Sequence, residues 1–280
     1  MSTVIRTICQ KHGLSLTNYE RLSGGDINEV YRIYSKDQSY VLKLNTLLPH
    51  EDMFHLEARS LDILRETDSF LVPQVIAEGK HHSHKYLFLE YLESHHDGDA
   101  EAFAQALAKL HRTTSLSFGL AFDNYIGRLP QINTRTYQTA SQFYINLRLE
   151  PQFKMAAEKG YQFKNLDQLY KIVEEIVPEE KPALIHGDLW SGNYLYTANN
   201  PAIIDPAIAY APREMDIAMM KLFGGFSPEI FTIYDEICPF SNGWEKRTDL
   251  WQLYYLLVHL NLFGQSYYGS VNRIVKTYTL

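Results

Sequence analysis

The sequence predicts an α+β fold of two lobes: a small β-rich N-terminal lobe, residues 1–92, and a larger, mainly helical C-terminal lobe, residues 93–280. Two observations support this division. Apolar and polar residues alternate in short segments before residue 92, as in half-buried strands, whereas apolar residues recur at helical spacing beyond it. We place a hinge at the end of the first lobe and expect ligands to bind in the cleft between the lobes.

The first lobe is predicted to contain two antiparallel hairpins and one helix. The segments "EVYRIYS" and "SYVLKLN" alternate on either side of "SKDQS", and "VPQVIAEGK" and "KYLFLEYL" form a second pair around "GKHHSHK". Between these pairs, "EDMFHLEARSLDILRET" carries apolar residues near helical spacing. We interpret the histidines of the second turn as solvated residues, because no acidic or cysteine partner is spaced for a closed metal site.

The second lobe begins with the amphipathic helix predicted by "DAEAFAQALAKLHRTT". Further along, "ALI" and "AII" read as short buried strands, each followed by a polar loop that carries an aspartate. Acidic residues at the ends of buried strands are costly unless they bind a partner. These two loops are therefore candidates for a functional site.

Composition excludes several classes of protein. A formal charge of −7 and a pI near 5.9 argue against a nucleic-acid partner. No stretch approaches the roughly 18 apolar residues of a membrane span, and the N-terminus lacks the apolar core of a secretory signal. Cys9 and Cys238 are too few for a disulfide framework, so we expect free thiols and a cytoplasmic location.

The loops after the two buried strands contain Asp188, Asn193 and Asp205. Phosphoryl transfer needs a carboxylate that positions the acceptor hydroxyl and oxygen ligands for Mg²⁺. Asp188 suits the first role, and the oxygens of Asn193 and Asp205 suit a hard cation. The alternative is that these residues only cap turns, as Asp and Asn often do. Their order along the chain, after an upstream lysine and glutamate, favours the chemical interpretation.

Upstream residues could contact the phosphates. Gly24 and Gly25 form a turn that enters a strand, where backbone N–H groups can approach an anion closely. Lys43 lies in the apolar strand "YVLKLN", and Glu57 on the following helix could hold it toward the α- and β-phosphates. Each feature also has an ordinary structural interpretation, namely a plain hairpin turn and a solvated lysine on an exposed strand face.

The chain resembles a known family. The segments "HGDLWSGN", "IIDPAIAYAPREMDIAMMKLFGGF" and "LYYLLVHLNLFG" are similar to those of the fructosamine kinase family, a branch of the protein-kinase-like fold that also includes aminoglycoside and choline phosphotransferases. The resemblance covers nearly the whole chain. The Trp190–Ser191 pair and the "REMD" and "FGGF" segments distinguish this branch from aminoglycoside phosphotransferases.

The resemblance implies ATP and Mg²⁺ as cofactors and assigns roles to particular residues. It makes Asp188 the proton acceptor for a sugar hydroxyl, Asn193 and Asp205 the Mg²⁺ ligands, and Lys43 with Glu57 the phosphate-binding pair. The implied substrates are free or protein-bound ketoamines, whose phosphorylated form loses its amine. Trp190 could stack on the substrate or pack beneath its loop. The implied hinge, whose backbone meets adenine, consists of Leu89, Glu90, Tyr91 and Leu92.

One departure from the family pattern concerns the glycine turn. Many relatives have a cysteine there, linked to redox-sensitive dimerisation, whereas this chain has Asp26. Further along, Arg213, Glu214 and Asp216 either anchor the loop or contact the substrate. Two other functions also stay open: a kinase of another small hydroxyl compound, such as an aminoglycoside or choline, and a nucleotide-binding pseudokinase.

Overall fold

The computed structural model of the protein describes residues 1–22, 28–36, 38–46, 52–95, 98–198 and 200–279. Gly24, Gly25 and Asp26 lie outside these residues. The chain forms two compact units. The first comprises Met1–Gly98 and Tyr194–Asp205, and the second comprises Asp99–Asn193 and Pro206–Leu280.

The described residues contain both strands and helices. The strands are β1 (Leu16–Arg21), β2 (Glu29–Ser35), β3 (Ser39–Thr46), β4 (Val75–His81), β5 (His84–Glu90), β6 (Asn124–Ile126), β7 (Leu129–Gln131), β8 (Ala183–Ile185), β9 (Tyr194–Tyr196), β10 (Pro201–Ile203) and β11 (Ala209–Ala211). The α-helices are α1 (Ser2–Lys11), α2 (Met53–Glu66), α3 (Ala100–His111), α4 (Ala140–Tyr144), α5 (Glu150–Glu158), α6 (Leu166–Ile176), α7 (Glu214–Phe223), α8 (Pro228–Ile237), α9 (Thr248–Phe263) and α10 (Tyr268–Thr279). A π-helical segment, Ile145–Leu149, joins α4 to α5.

The first unit is built on a five-stranded antiparallel sheet of order β1-β2-β3-β5-β4. Both predicted hairpins are confirmed, as are helices α2 and α3. The predicted α+β fold class is therefore confirmed, with a β-rich N-terminal unit and a mainly helical second one. The turn between β4 and β5 is tighter than predicted, because the strands extend through His81 and resume at His84.

The prediction of a single helix in this lobe is wrong, because α1 precedes the sheet. Its apolar residues Ile5, Ile8 and Cys9 follow the i, i+3, i+4 spacing of one helical face, but a stretch this short carries a weak periodic signal. All three are fully buried. They pack on side chains from one face of the sheet, namely Tyr31, Ile33, Tyr40, Leu42, Leu44, Tyr86 and Phe88.

Helix α2 packs on β4 and β5 and determines the environment of Lys43. Successive side chains of a strand point to opposite faces, so Lys43 faces away from the side on which Leu42 and Leu44 meet α1. On that second side, Lys43 bonds to Glu57 of α2. Strand β3 is consequently covered on both faces, and Lys43 is buried.

The β9–β10 hairpin belongs to the first unit although it lies far along the chain. The backbone of Leu71 donates to Pro201 at 3.0 Å and accepts from Ile203 at 3.0 Å, and His95 donates to Tyr196 at 2.7 Å. These bonds attach residues 194–205 to the end of the unit. The first unit thus extends to Gly98 and includes this later segment.

The core of the second unit surrounds helix α9, which is buried on nearly every side. Helices α5, α7 and α10 pack against it. The hairpin of β6 and β7 was not predicted from the sequence, because each strand has three residues. Cys9 and Cys238 are both free, as predicted. None of the helices in the described residues is long and apolar enough to span a membrane.

We expect Ile8→Ala to lower the free energy of unfolding by about 2–5 kcal/mol, because it leaves a cavity between α1 and the sheet. Gln10→Ala on the exposed face of the same helix is the matched control and should change stability by less than about 0.5 kcal/mol. Urea unfolding measures both. Equal effects of the two substitutions would contradict the packing of α1 in this core.

Candidate functional site

The 186–193 loop, which carries Asp188, starts where strand β8 ends. Strand β8 pairs with β11, so that Ile185 lies opposite Ala209. The backbone N–H groups of His186 and Gly187 then donate to the carboxylate of Asp216 at 2.8 Å and 2.9 Å. Asp216 is fully buried in the first turn of α7. A buried carboxylate is stable only when its oxygens are hydrogen-bonded, so the loop and Asp216 hold each other in position.

Asp216 is also the end of a buried polar chain. His111 Nε2 lies 3.2 Å from Asp216 Oδ2, His111 Nδ1 lies 2.7 Å from the Tyr234 hydroxyl, and Arg213 Nη1 donates to that hydroxyl at 3.2 Å. Since the ionised carboxylate of Asp216 can only accept, Nε2–H of His111 donates to it, and Nδ1 of the neutral ring accepts the Tyr234 proton. Burial lowers the pKa of His111 and outweighs the opposing effect of Asp216, which favours this neutral tautomer.

The backbone conformation at position 187 requires glycine. Its φ is +82°, in the region that favours glycine, and a Cβ atom there would lie 2.0 Å from the carbonyl oxygen of Ala207. Ala207 N–H in turn donates to the carbonyl of His186 at 2.9 Å. The two segments can approach this closely only because residue 187 has no side chain.

Asp188 and Asn193 lie together at the two ends of the remaining loop. The Asn193 side-chain amide donates to the backbone carbonyl of Asp188 at 2.9 Å and to its Oδ2 at 3.3 Å. Asn193 is buried and Asp188 is half-buried. Because both bonds use the Asn193 nitrogen, Oδ1 is left as the acceptor atom of that amide.

Trp190 packs partly on its own loop. A Cβ at Gly192 would lie 2.2 Å from the Trp190 ring, so the ring covers this glycine. The Trp190 side chain nevertheless stays 37% exposed. Ser191 contacts Gly225, which has a φ of +86° and where an added Cβ would lie 2.5 Å from the Ser191 Cβ.

In the first unit, Lys43 is held between two carboxylates. Its ammonium donates to Glu57 Oε1 at 2.6 Å and to Asp205 Oδ1. Burial alone would lower the pKa of Lys43, but the charges of Asp205 and Glu57 outweigh it and raise the pKa. Lys43 is therefore a permanently charged, fixed cation, and the solvated alternative is excluded. Asp205 has a φ of +55°, and 46% of its side chain is exposed.

The predicted hinge residues span the end of strand β5. Leu89 is paired with both Val41 and Val75, and β5 ends at Glu90. Tyr91 and Leu92 lie beyond the ladder and are half-buried. The guanidinium of Arg32 stacks 3.8 Å from the centre of the Tyr91 ring.

The structure thus groups the predicted residues in two sets. Lys43, Glu57 and Asp205 meet in the first unit, and Asp188, Trp190 and Asn193 share one loop of the second. The role of His111 could not be identified from the sequence, where the only signal was a histidine on the predicted helix α3. For Asp216, the anchoring alternative is the one observed, through loop N–H groups rather than salt bridges.

Comparison with known proteins identifies the family. The family model described as fructosamine kinase matches residues 1–280, the full chain. The chain belongs to the fructosamine kinase family. A "probable ketoamine kinase" from Vibrio parahaemolyticus is 37% identical over 272 residues, covering 93% of each chain. Another from Enterococcus faecium is 38% identical over 263 residues, covering 91% of this chain and 93% of the relative.

Solved structures agree with this membership. A candidate fructosamine-3-kinase from Haemophilus somnus superposes with a TM-score of 0.89 at 29% identity, covering 100% of this chain and 98% of that one. The aminoglycoside phosphotransferase APH(4)-Ia shares the fold, with a TM-score of 0.62 at 17% identity, covering 99% of each chain. The fold is therefore protein-kinase-like. As a member of the fructosamine kinase family, the protein is an ATP-dependent phosphotransferase that acts on a sugar hydroxyl.

We expect Gly187→Ala to reduce kcat at least about 100-fold, because the new Cβ displaces the loop that carries Asp188, and misplacement by about 1 Å can have this effect. Gly160→Ala is the matched control, since Gly160 has a φ of +88° with nothing within 4 Å of an added Cβ. Both substitutions strain the backbone by roughly 1–2 kcal/mol. Steady-state kinetics compares them, and equal activity would contradict the steric role of Gly187.

The buried His111 predicts a loss of stability in acid. Its pKa lies below the ordinary value of 6.5 in the folded protein, so the unfolded chain binds a proton first as the pH falls. The free energy of unfolding should therefore decrease below about pH 6.5, by at most about 1.4 kcal/mol per pH unit for this one proton.

Urea unfolding between pH 7.5 and 5.5 tests this expectation. His111→Gln, which keeps an N–H donor for Asp216, should show a weaker pH dependence than the wild type. His95→Gln replaces an exposed histidine and should retain the full dependence. Identical slopes in all three proteins would show that His111 does not contribute.

Proposed function

We propose that this protein phosphorylates a sugar hydroxyl of ketoamines, the adducts formed when sugars glycate amines, with ATP as the phosphate donor. The family match and the relatives named as ketoamine kinases support the substrate class. The observation that carries the proposal is the fixed position of Asp188 beside Asn193, in a loop whose backbone is held by Asp216. This arrangement presents a carboxylate to an acceptor hydroxyl without the need to reorganise the loop.

Asp188 is the proposed proton acceptor. Its carboxylate would orient the hydroxyl of the sugar and take up the proton as the oxygen attacks the γ-phosphorus of ATP. The hydrogen bond from Asn193 to Asp188 Oδ2 limits the rotation of the carboxylate. Trp190, beside Asp188 in the same loop and partly exposed, is proposed to pack on the sugar.

Lys43 is proposed to bind the α- and β-phosphates of ATP. Lys43 suits the phosphates of ATP, because it is a buried cation and Glu57 fixes the orientation of its side chain. The backbone of residues 89–92 is proposed to meet the adenine, where the chain leaves the ladder of β5. Gly24 and Gly25 are proposed to cover the phosphates.

Asn193 and Asp205 are proposed to hold Mg²⁺. Their chemistry fits a hard cation, because Asn193 retains Oδ1 as an acceptor and Asp205 is a partly exposed carboxylate. Mg²⁺ bound there would offset the negative charge on the phosphoryl oxygens during transfer. Lys43 also bonds to Asp205, so this carboxylate lies beside the lysine that is proposed to bind the phosphates.

Phosphorylation at the third carbon of the sugar would make the adduct unstable, so that the amine is released. We propose deglycation of small or protein-bound amines as the outcome. A cytoplasmic location is part of this proposal, because the reaction consumes ATP and both cysteines are free thiols.

Asp188→Asn should reduce kcat by about 10²–10⁴-fold, because the variant keeps the shape of the side chain but loses its capacity to accept a proton. ADP release would be measured with fructose-, ribulose- and erythrulose-derived lysine adducts, with kanamycin and choline as alternative acceptors. ATP binding, measured by calorimetry, should be unchanged.

The matched control is Asp167→Asn, an exposed aspartate in the first turn of α6, which should behave as wild type. Turnover on the ketoamines with release of the amine supports the proposal. Turnover on kanamycin or choline alone would contradict the substrate class. ATP binding without turnover on any acceptor would instead support a pseudokinase.

A further inference from the structure

Four rings of the second unit form a cluster that we call the aromatic cluster: Phe223, His259, Phe263 and Tyr267. The His259 ring is at its centre, with ring centroids 4.8 Å from Phe223, 5.5 Å from Phe263 and 5.1 Å from Tyr267. Phe223 is 41% exposed and Phe263 is 50% exposed. Several aromatic rings that are in contact and yet half-exposed are typical of a ligand surface rather than of a core.

Helix α7 connects the aromatic cluster to the 186–193 loop. Phe223 and Asp216 are both on α7 and seven residues apart, so they share a helix face about 10 Å apart along the axis. Asp216 holds the start of the loop, and Gly225, two residues beyond Phe223, contacts Ser191 near its end. A substrate that places its sugar hydroxyl at Asp188 can therefore extend over Phe223.

The end of α7 favours a positive charge at this surface. Helix α7 terminates at Phe223, and the C-terminal end of a helix carries about half a negative charge. The end of α9 is already occupied by basic side chains, since the carbonyls of Asn261 and Leu262 accept from Lys159 and Arg128. Helix α7 has Lys221 in its last turn, but this residue lies on another helix face from Phe223, and its ammonium is 4.2 Å from the centre of the Trp244 ring. The negative pole beside Phe223 is thus that of α7.

His259 adds a hydrogen-bond acceptor at the centre of the cluster. Its Nδ1–H donates to the carbonyl of Tyr255 at 2.8 Å, which leaves Nε2 as the acceptor of the neutral ring. Burial lowers the pKa of His259 and keeps the ring neutral at pH 7. Aromatic faces, a helix C-terminus and a neutral imidazole acceptor all suit an ammonium group.

We infer that the aromatic cluster binds the amine half of the ketoamine, that is, its protonated secondary amine and the adjoining carbon chain. This inference rests on the proposed function and adds a specificity site to it. It implies that the protein selects among ketoamines by the charge that lies next to the sugar. An adduct on a lysine side chain presents an ammonium flanked by methylene groups, whereas an adduct on an α-amino group places a carboxylate against the rings and the negative end of α7.

The test compares Phe223→Leu with Phe223→Tyr. Leucine keeps an apolar side chain but has no π face, whereas tyrosine keeps the ring. With a fructose adduct of Nα-blocked lysine, Phe223→Leu should raise KM by about 3–30-fold, as expected for a lost cation–π contact, with little change in kcat. Phe223→Tyr should stay close to wild type. Phe231→Ala, a half-buried ring on α8 beside Lys221, is the control and should leave KM unchanged.

Two further measurements complete the test. The wild type should have a higher kcat/KM for the lysine adduct than for the glycine adduct, and the reverse order would overturn the charge argument. Calorimetric binding of the lysine adduct to the Asp188→Asn variant separates binding from turnover. If the wild type turns over the lysine adduct but Phe223→Leu does not weaken its binding, the role of the aromatic cluster is overturned and the proposed reaction stands. Phe223-dependent binding without turnover in the wild type would contradict the proposed reaction and support the cluster.

Discussion

The carboxylate of Asp216 is the constraint on which the rest of the second unit depends. It is completely buried, and it accepts from the backbone of His186 and Gly187 and from the ring of His111. An isolated buried carboxylate would be costly, so the helix that carries it and the loop that satisfies it must stay together. This interaction converts a short polar loop after a three-residue strand into a fixed position for Asp188. The loop contains a glycine in the left-handed region at its tightest point, where Gly187 meets the carbonyl of Ala207.

In the first unit, too, a buried charge requires partners, but here the charge is positive. Lys43 is buried on a strand that is covered on both faces, and its ammonium is compensated by Glu57 and Asp205. Because the two carboxylates raise its pKa, the lysine stays charged where a buried lysine without partners would lose its proton. Each unit therefore positions its candidate site residues through a buried charged group: carboxylates compensate the charge of Lys43, and hydrogen-bond donors satisfy Asp216. Fixed charges and dipoles of this kind are what phosphoryl transfer requires.

Much of this could be predicted from the sequence, and the failures have identifiable causes. Alternation and turn residues were sufficient for the hairpins of β2–β3 and β4–β5, because their patterns extend over whole strands. Helix α1 escaped prediction because its single apolar face spans three residues of a short segment. The strands of the β6–β7 hairpin are too short to show an alternation of apolar and polar residues. The position of the β9–β10 hairpin depends on backbone bonds to Leu71 and His95, which no side-chain pattern records.

For the candidate site, the sequence by itself determined which residue types are available and in which order: a strand lysine, a helical glutamate, and the loops with Asp188, Asn193 and Asp205. It could not decide whether Lys43 was solvated or paired, nor whether Asp216 anchored the loop or met the substrate. Those questions were decided by the tertiary structure, because burial and hydrogen-bond partners come from elements far apart in the chain. The aromatic cluster is of the same kind. Its rings come from the ends of α7 and α9 and the turn beyond, and only the packed second unit brings them together.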